Sequence, residues 1–513
     1  MLDLGKSFLA SAARDGSSLA IIDGTTRLSY QDWEPRVLSV AHSLVSIGLR
    51  PGDRIVTALQ NSWETATLYW ACQLAGMVVV PVNWRASARE LSFFVSDSEG
   101  SALVFDTASQ EAALAMTLCP SVLLISLTDD LPPRALSFYE FLDAKPVAFA
   151  PRAAFHGISV MLYTSGTTAK PKGVPRTHQA ERAAGIAHIA QNLYRRGDRT
   201  LGVMPLYHTM GLRSLIAMSL IGGTFVCMRR FSPADALALI EGERISTLFL
   251  IPTLYHDLLT QYTAGGHHAL SSVRILTFAG ASLYPGTVER LDRMFQPDLF
   301  VNQYGSTEIF TITVESNARR KPGSAGKAGI NQSVRVIPLG TSSTMLSAAP
   351  YQEGQIVALL DGDEAFHGYW KRPDADHKAL RGGWFFTGDC GYFDNEGDLY
   401  VTGRIDDLII SGGENISPLE LENCLSQHPF VSEVAVIGLP DTRWGQVVTA
   451  VIVPNQHIDS TALAAFCREA GIAGYKIPKR FVLVDALPRS PLGKVLKRAL
   501  MQRMSCVEVP TAR

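Results

Sequence analysis

The sequence predicts an α/β protein: a large N-terminal domain of layered mixed or parallel sheets with helices, then a small α+β C-terminal domain. Three observations carry this expectation. Helix-period and strand-period patterns alternate through residues 28–400. The strand-like segments are short, unbroken apolar runs, as in parallel sheets covered on both faces. Near residue 404 the texture changes, where Gly403-Arg404-Ile405-Asp406-Asp407 interrupts two apolar strands and a smaller alternating region follows. At 513 residues with 47% hydrophobic content, the chain has both the length and the apolar surface for buried cores in more than one domain.

Taken in order, residues 1–14 carry Asp3 and an apolar stretch broken by Ser11, so they do not read as a signal peptide. Ser29 and Asp32 make a capping-box start, and Trp33, Val37, Ala41 and Leu44 repeat at helical spacing up to Gly48. Residues 54–59 read as a strand, a helix follows Asn61, and 77–82 is a short buried strand. A long uncharged stretch, 214–228, has 15 residues and contains Gly222, Gly223 and Thr224. It is too short and broken to span a bilayer, and reads as a buried helix followed by a strand. Further strands are expected at 247–251, 274–278 and 299–301. A domain boundary is placed at Asp406, giving domains 1–405 and 406–513. The second contains helices at 418–427 and 461–470, strands at 434–437 and 447–453, and a basic tail.

A net charge of −2 gives no electrostatic reason to expect nucleic acid or an anionic membrane as partner, so local basic clusters are read as small-anion sites. The seven cysteines (Cys72, Cys119, Cys227, Cys390, Cys424, Cys467, Cys506) are odd in number, far apart and without C-x-x-C spacing. They read as ordinary thiols of a reducing compartment, which points to the cytoplasm. Oligomeric state, including a homodimer, is left open.

The most informative segment is 164–173, Thr-Ser-Gly-Thr-Thr-Ala-Lys-Pro-Lys-Gly, directly after an apolar run. Glycine lets backbone N–H groups turn toward a ligand, hydroxyls donate further hydrogen bonds, and lysine supplies positive charge, a combination suited to polyphosphate. It lacks the Walker A spacing, and composition alone is equally that of a surface loop. Four more segments accompany it. Asn302-Gln303-Tyr304-Gly305-Ser306-Thr307-Glu308 offers a ring for a nucleobase and a carboxylate for Mg²⁺. Thr387-Gly388-Asp389 sets a carboxylate on a tight turn, suited to a ribose hydroxyl. The segment 403–407 continues into Ile410-Ser411-Gly412-Gly413-Glu414-Asn415-Ile416, and Arg489-Ser490-Pro491-Leu492-Gly493-Lys494 sets one lysine after a Pro/Gly turn.

Together and in this order these segments resemble the adenylate-forming superfamily of acyl- and aryl-CoA synthetases, luciferase and peptide-synthetase adenylation domains. The resemblance runs from about residue 28 to 497 and is strongest toward 4-chlorobenzoate:CoA ligase and related aryl-CoA ligases. It is carried also by Met204-Pro-Leu-Tyr-His208, Thr277-Phe-Ala-Gly-Ala281, Arg443-Trp-Gly-Gln446 and Tyr475-Lys-Ile-Pro-Lys-Arg480. It implies an acid–thiol ligase using ATP, Mg²⁺ and coenzyme A: a carboxylate attacks the α-phosphate of ATP, then CoA displaces AMP. Thr164, Ser165, Gly166, Thr167, Thr168 and Lys172 are then expected on the phosphates. Ala279, Gly280, Ala281, Tyr304, Gly305, Ser306 and Thr307 line the adenylate. Asp389 and Arg404 grip the ribose, Glu308 holds the metal, and Lys494 bridges carboxylate and α-phosphate. The C-terminal domain is implied to be mobile about a hinge at Asp406, which alternately presents Lys494 or the 411–414 segment.

For CoA, the resemblance implies Arg85, Ser411, Gly412, Gly413, Trp444, Lys476, Lys479 and Arg480; a solvated basic face is the competing reading of the last three. His208 is expected to gate the carboxylate site. Met210, Gly211, Leu212, Phe249, Gln303, Gly305, Ile309 and Phe310 are expected to wall an acyl pocket, apolar enough for a flat aromatic acid (benzoate, hydroxybenzoate, halobenzoate or cinnamate type). Gln303 leaves a hydroxylated ring open. Arg213 is expected either to reach solvent from a helix or to pair with a second substrate carboxylate. Ala169 stands where the family loop usually has glycine, a change worth about 1 kcal/mol if φ there is positive. The alternatives are a medium-chain fatty or other small acyl-CoA synthetase, a stand-alone adenylation protein loading a carrier-protein thiol, and a non-catalytic homologue.

Overall fold

The computed structural model describes residues 1–116, 121–143, 149–164, 171–265, 268–283, 285–341, 343–412, 414–489 and 495–505. Two large sheets dominate the first 330 residues. A seven-stranded sheet runs, in spatial order, Ala135–Ser137, Leu123–Ser126, Gly100–Phe105, Arg54–Ala58, Val78–Pro81, Ile158–Thr164 and Lys172–Thr177. All its pairings are parallel except the last. A nine-stranded sheet has a parallel centre built from Leu299–Tyr304, Ile275–Ala279, Thr247–Leu250, Arg199–Gly202, Thr224–Cys227 and Leu19–Asp23.

Helices fill the space between them. In Trp63–Ala75 every residue after the first is buried, and in Thr209–Ile221 residues 209–219 are. Such helices carry no polar stripe, because both sides face protein. This is why 214–228 carries no charge: it is the end of one buried helix, a left-handed Gly222 cap at φ +67, and the strand Thr224–Cys227. Around these helices Phe8 stacks on Trp70 at 5.0 Å and meets Trp33 edge-on at 5.1 Å. The capping box at Ser29 and Asp32 is present.

An antiparallel five-stranded sheet follows, made of Val334–Pro338, Gly354–Leu359, Leu380–Arg381, Trp384–Phe393 and Leu399–Arg404. The chain then makes one 3-10 turn, Ile405–Asp407, on which Asp406 is exposed. Every later strand belongs to a separate five-stranded sheet of Ile409–Ser411, Glu414–Ile416, Val431–Asp441, Gly445–Pro454 and Arg480–Leu483. Helices Pro418–Leu425 and Ser460–Glu469 pack on one side of that sheet around Leu421, Leu425 and Leu463. Leu500 and Met504 of Lys497–Ser505 join the other side. Fold class and layering thus follow the sequence reading, with strand ends shifted by up to four residues. No helix among the described residues is long and apolar enough to cross a membrane.

Candidate active site

The candidate residues gather where strands of both large sheets and the antiparallel sheet end. Asp389 and Arg404 are direct cross-strand partners in the antiparallel sheet, and Arg404 Nη1 lies 3.2 Å from Asp389 Oδ1. Gly388 holds φ +78, and a Cβ there would stand 2.8 Å from Arg404 Nη2. The close pass of the guanidinium therefore needs glycine. From the nine-stranded sheet, Tyr304 donates its hydroxyl to Asp389 Oδ2 at 2.6 Å. Burial and the adjacent carboxylate push the Tyr304 phenol well up, so it stays a neutral donor.

Beyond Tyr304 the chain folds back on itself. Ser306 N–H donates to Ile309 O at 2.8 Å and Ile312 N–H to Tyr304 O at 2.9 Å, and a Cβ on Gly305 would lie 1.8 Å from Phe310 O. This turn delivers the buried Glu308, whose Oε1 accepts from Tyr369 Oη at 2.8 Å. Lys172 Nζ sits 4.1 Å from the centre of the Tyr369 ring. Burial lowers the Lys172 pKa, and the Glu308 charge opposes that shift. Thr164 and Lys172 are paired across the antiparallel end of the seven-stranded sheet. The Arg404 charge acts on Lys172 as well, so the two clusters are neighbours. Residues Ser165, Gly166, Thr167, Thr168 and Ala169 of the same loop lie outside the described residues, as do Gly413 and Lys494.

Gly280 takes φ +85 directly after Ile275–Ala279, leaving Ala279, Gly280 and Ala281 as backbone at the end of the strand beside Tyr304. Among the described residues no group of three or more His, Cys, Asp or Glu could cage a metal. With Oε1 of Glu308 engaged by Tyr369, a divalent ion would rest on one carboxylate plus phosphate oxygens and water. That donor set suits Mg²⁺.

His208 caps the helix Thr209–Ile221, its Nδ1 accepting from Met210 N–H at 3.3 Å. That bond leaves the proton on Nε2. Burial lowers its pKa to about 4, so it is a neutral donor at physiological pH and carries no charge toward a substrate carboxylate. Gly211 permits the helix to press on Pro205, where a Cβ would stand 2.2 Å from the carbonyl oxygen. Met210, Phe249 and Phe310 share one buried cluster, with the two phenylalanine rings edge-on at 6.2 Å. Leu212 and Ile309 are buried in adjoining clusters.

Arg213 departs from both expectations. It is fully buried, neither at solvent nor free for a second carboxylate, because Glu181 accepts from it through a backbone carbonyl at 2.8 Å and both carboxylate oxygens at 3.2 and 3.3 Å. Its guanidinium lies 4.4 Å from the Phe310 ring centre. Glu181 also accepts from Arg176 Nε, and Arg176 Nη1 donates to the carbonyls of Thr307 and Glu308, each at 3.1 Å. A buried Arg–Glu–Arg triad thus ties the Phe310 ring to the turn that carries Glu308. Neither this triad nor Tyr369 was found from sequence. Glu181, Arg176 and Tyr369 sit on ordinary helix, strand and turn patterns, and only the fold makes them neighbours.

The CoA candidates fall into two groups. Arg85 is exposed, 3.8 Å from the Trp84 ring centre, and its charge reaches the Tyr207 phenol. The second group surrounds Trp444. Lys479 Nζ lies 3.9 Å from its ring centre, and Gly412, at φ +62, donates its N–H to Trp444 O at 2.9 Å beside the buried Ser411. Lys476 is paired with Glu420 at 2.8 Å and Arg480 with Asp441 at 3.5 Å, so a phosphate would have to compete with those carboxylates.

A tyrosine-anchored Asp–Arg pair beside a lysine and a buried carboxylate is an arrangement for a nucleotide, and comparison with known sequences agrees. The AMP-binding enzyme family matches residues 8–370, and its C-terminal domain matches 420–494. The chain belongs to the AMP-binding enzyme family. As an acid–thiol ligase of that family it is 33% identical over 511 residues to a feruloyl-CoA synthase of an Amycolatopsis species, covering 98% of this chain and 99% of that protein. It is 31% identical over 497 residues to a 4-chlorobenzoate–CoA ligase of an Arthrobacter species, covering 96% and 93%. The crystal structure of ATP-bound MatB from Rhodopseudomonas palustris superposes with a TM-score of 0.89 at 28% identity, covering 98% of this chain and 99% of that one.

Proposed function

We propose that this AMP-binding enzyme joins an aromatic carboxylic acid to coenzyme A, through an acyl-adenylate made from ATP. The observation that carries the reading is the single site formed by Tyr304, Asp389 and Arg404 together with Lys172, Tyr369 and Glu308. Beside it lies the buried cluster of Phe249, Phe310 and Met210, which this reading takes as the wall of the acyl pocket. Kinship with feruloyl- and 4-chlorobenzoate–CoA ligases favours an aryl acid over an aliphatic one.

The acid is ionised at neutral pH, since a carboxyl group titrates near pH 4, so attack on the α-phosphate needs no general base. The barrier is the repulsion between carboxylate and triphosphate. Thr164, Ser165, Gly166, Thr167, Thr168 and Lys172 hold the phosphates, and Lys494 bridges carboxylate and α-phosphate. Glu308, oriented by Tyr369, holds Mg²⁺, which neutralises phosphate oxygens when bound. Asp389 and Arg404 take the ribose hydroxyls. Tyr304 and the 279–281 backbone flank adenine, with Gly305, Ser306 and Thr307 completing the adenylate pocket. Neutral His208 donates Nε2–H at the carboxylate entrance.

Residues 1–405 and 406–513 then act as two domains turning about Asp406. Rotation removes Lys494 and brings Ser411, Gly412 and Gly413 to the site, with Trp444 and Lys479 against the pantetheine arm and Arg85, Lys476 and Arg480 serving the CoA phosphates. On this reading the enzyme works in the cytoplasm, where ATP and CoA are both present. The test is a panel of benzoates, hydroxybenzoates, cinnamates and C4–C10 fatty acids assayed for AMP release with and without CoA. CoA-stimulated release with aryl acids supports the reading. Release with none of them sinks it, and release that CoA never accelerates favours a carrier-protein thiol.

A further inference from the structure

Gln303 is only 3% exposed, yet neither its Oε1 nor its Nε2 makes a hydrogen bond. An amide buried with both groups unpaired is costly and calls for an occupant that satisfies it. The strand around it tells where it points. On Leu299–Tyr304 side chains alternate: Phe300 meets Phe278 and Tyr304 reaches Asp389, while Leu299 packs on the opposite face with Ile189 and Met218 of the interlayer helices. Gln303 shares that helix-covered face with Leu299.

Flat rings surround it there. His188 lies 4.8 Å from Phe249 and 5.9 Å from Phe310, ring centre to ring centre. The polar atoms of His188 are already used, Nδ1 with Asn192 Nδ2 at 3.1 Å and Nε2 with Tyr194 Oη at 3.3 Å, and Gln303 sits beside the ring outside hydrogen-bond geometry. Asn192 Oδ1 in turn accepts from Thr277 Oγ1 at 2.7 Å. Gln303 is thus left over from a polar network that otherwise closes on itself, beside a ring that meets Phe249 and Phe310.

We propose that Gln303 reads a hydroxyl on the ring of the acid substrate, with Oε1 accepting the hydroxyl proton and Nε2 donating to its oxygen. This rests on the aryl-CoA ligase reading and narrows it to hydroxyl-bearing aromatic acids. A phenol is donor and acceptor at once and satisfies both ends of the carboxamide. A halogen or methyl group of similar size leaves the amide unpaired, and a methoxy group satisfies only the donor.

The experiment compares kcat/KM for CoA-dependent AMP formation with 4-hydroxycinnamate, 4-methylcinnamate and cinnamate, and with the matching benzoates, in the native enzyme and Gln303→Met. The native enzyme should favour the hydroxylated acid over its methyl isostere by about 10–100-fold, and Gln303→Met should bring that ratio within about threefold of unity. Calorimetric binding of the free acids to both proteins gives a readout independent of turnover. A native ratio near unity, which requires no variant to fold, overturns the proposal; so does a ratio that Gln303→Met leaves unchanged. Failure of every aryl acid, with a fatty acid accepted instead, removes the underlying reading.

Discussion

Replacing Glu181 with glutamine removes one negative charge from between two buried positive ones. Arg176 and Arg213 are both fully buried and Glu181 is 1% exposed, so water cannot take over the carboxylate's role. Breaking one buried ion pair costs about 3–5 kcal/mol, because the surviving charge is left uncompensated. Here two guanidiniums lose one shared partner, so that range is a floor. At about 2–4 °C per kcal/mol for domains of 150–250 residues, the melting temperature should fall by on the order of 10 °C, read by scanning calorimetry. Arg176 also holds the carbonyls of Thr307 and Glu308, so pyrophosphate release at 20 °C should drop while the protein is still folded. Acid should reproduce the thermal effect. Burial alone would raise the Glu181 pKa, but the Arg213 and Arg176 charges outweigh it and lower it. The stability it contributes is therefore complete above about pH 4–5, where the unfolded carboxylate is ionised, and is lost only as pH falls through the lower folded value. A melting temperature within 2 °C of the native one would refute the argument that the triad is a single electrostatic unit.

Tyr369→Phe removes the hydroxyl on Glu308, and the apparent Mg²⁺ requirement of adenylation should rise about 10–100-fold, as for other partners that orient a metal ligand. Tyr304→Phe should raise KM for ATP by roughly 10-fold or more with little change in the acid's KM, since it takes one charge-assisted hydrogen bond from Asp389. His178 and His188 are buried with pKa values lowered to about 4 and about 3 by burial, so the unfolded chain binds their protons first. Their contribution should fade as pH drops below about 6.5, costing on the order of 5 kcal/mol by pH 4.5 in denaturant titrations. Lys494→Ala should cut adenylate formation by orders of magnitude yet spare thioester formation from supplied acyl-adenylate, and equal loss of both half-reactions contradicts its assigned role.

The fold was legible where each element announces itself locally. The Ser29–Asp32 capping box, the left-handed Gly222 and the apolar strands each state their own conformation within a few residues. The candidate nucleotide residues were legible for a different reason: Thr164, Tyr304, Glu308, Asp389 and Arg404 lie on short segments whose order matches a family. The supporting residues carry no such mark. Tyr369 is an unremarkable aromatic after Gly368, and Arg176 and Glu181 look like a strand end and a helix start. Their roles arise from contacts such as that between Arg176 and Glu308, which join residues far apart in the chain. Arg213 was misjudged because a charged residue on a helix usually marks the wet face, whereas this helix has none and its guanidinium is balanced by Glu181.

The strand Leu399–Arg404 ends on the very side chain that grips Asp389, and the next three residues are the turn Ile405–Asp407. No spacer separates the two. Whatever restrains Arg404 also anchors the fixed end of any pivot at Asp406. Nucleotide occupancy and domain orientation would then be read by one spring, so a nucleotide that tightens Arg404 should stiffen the turn before it contacts anything beyond residue 408.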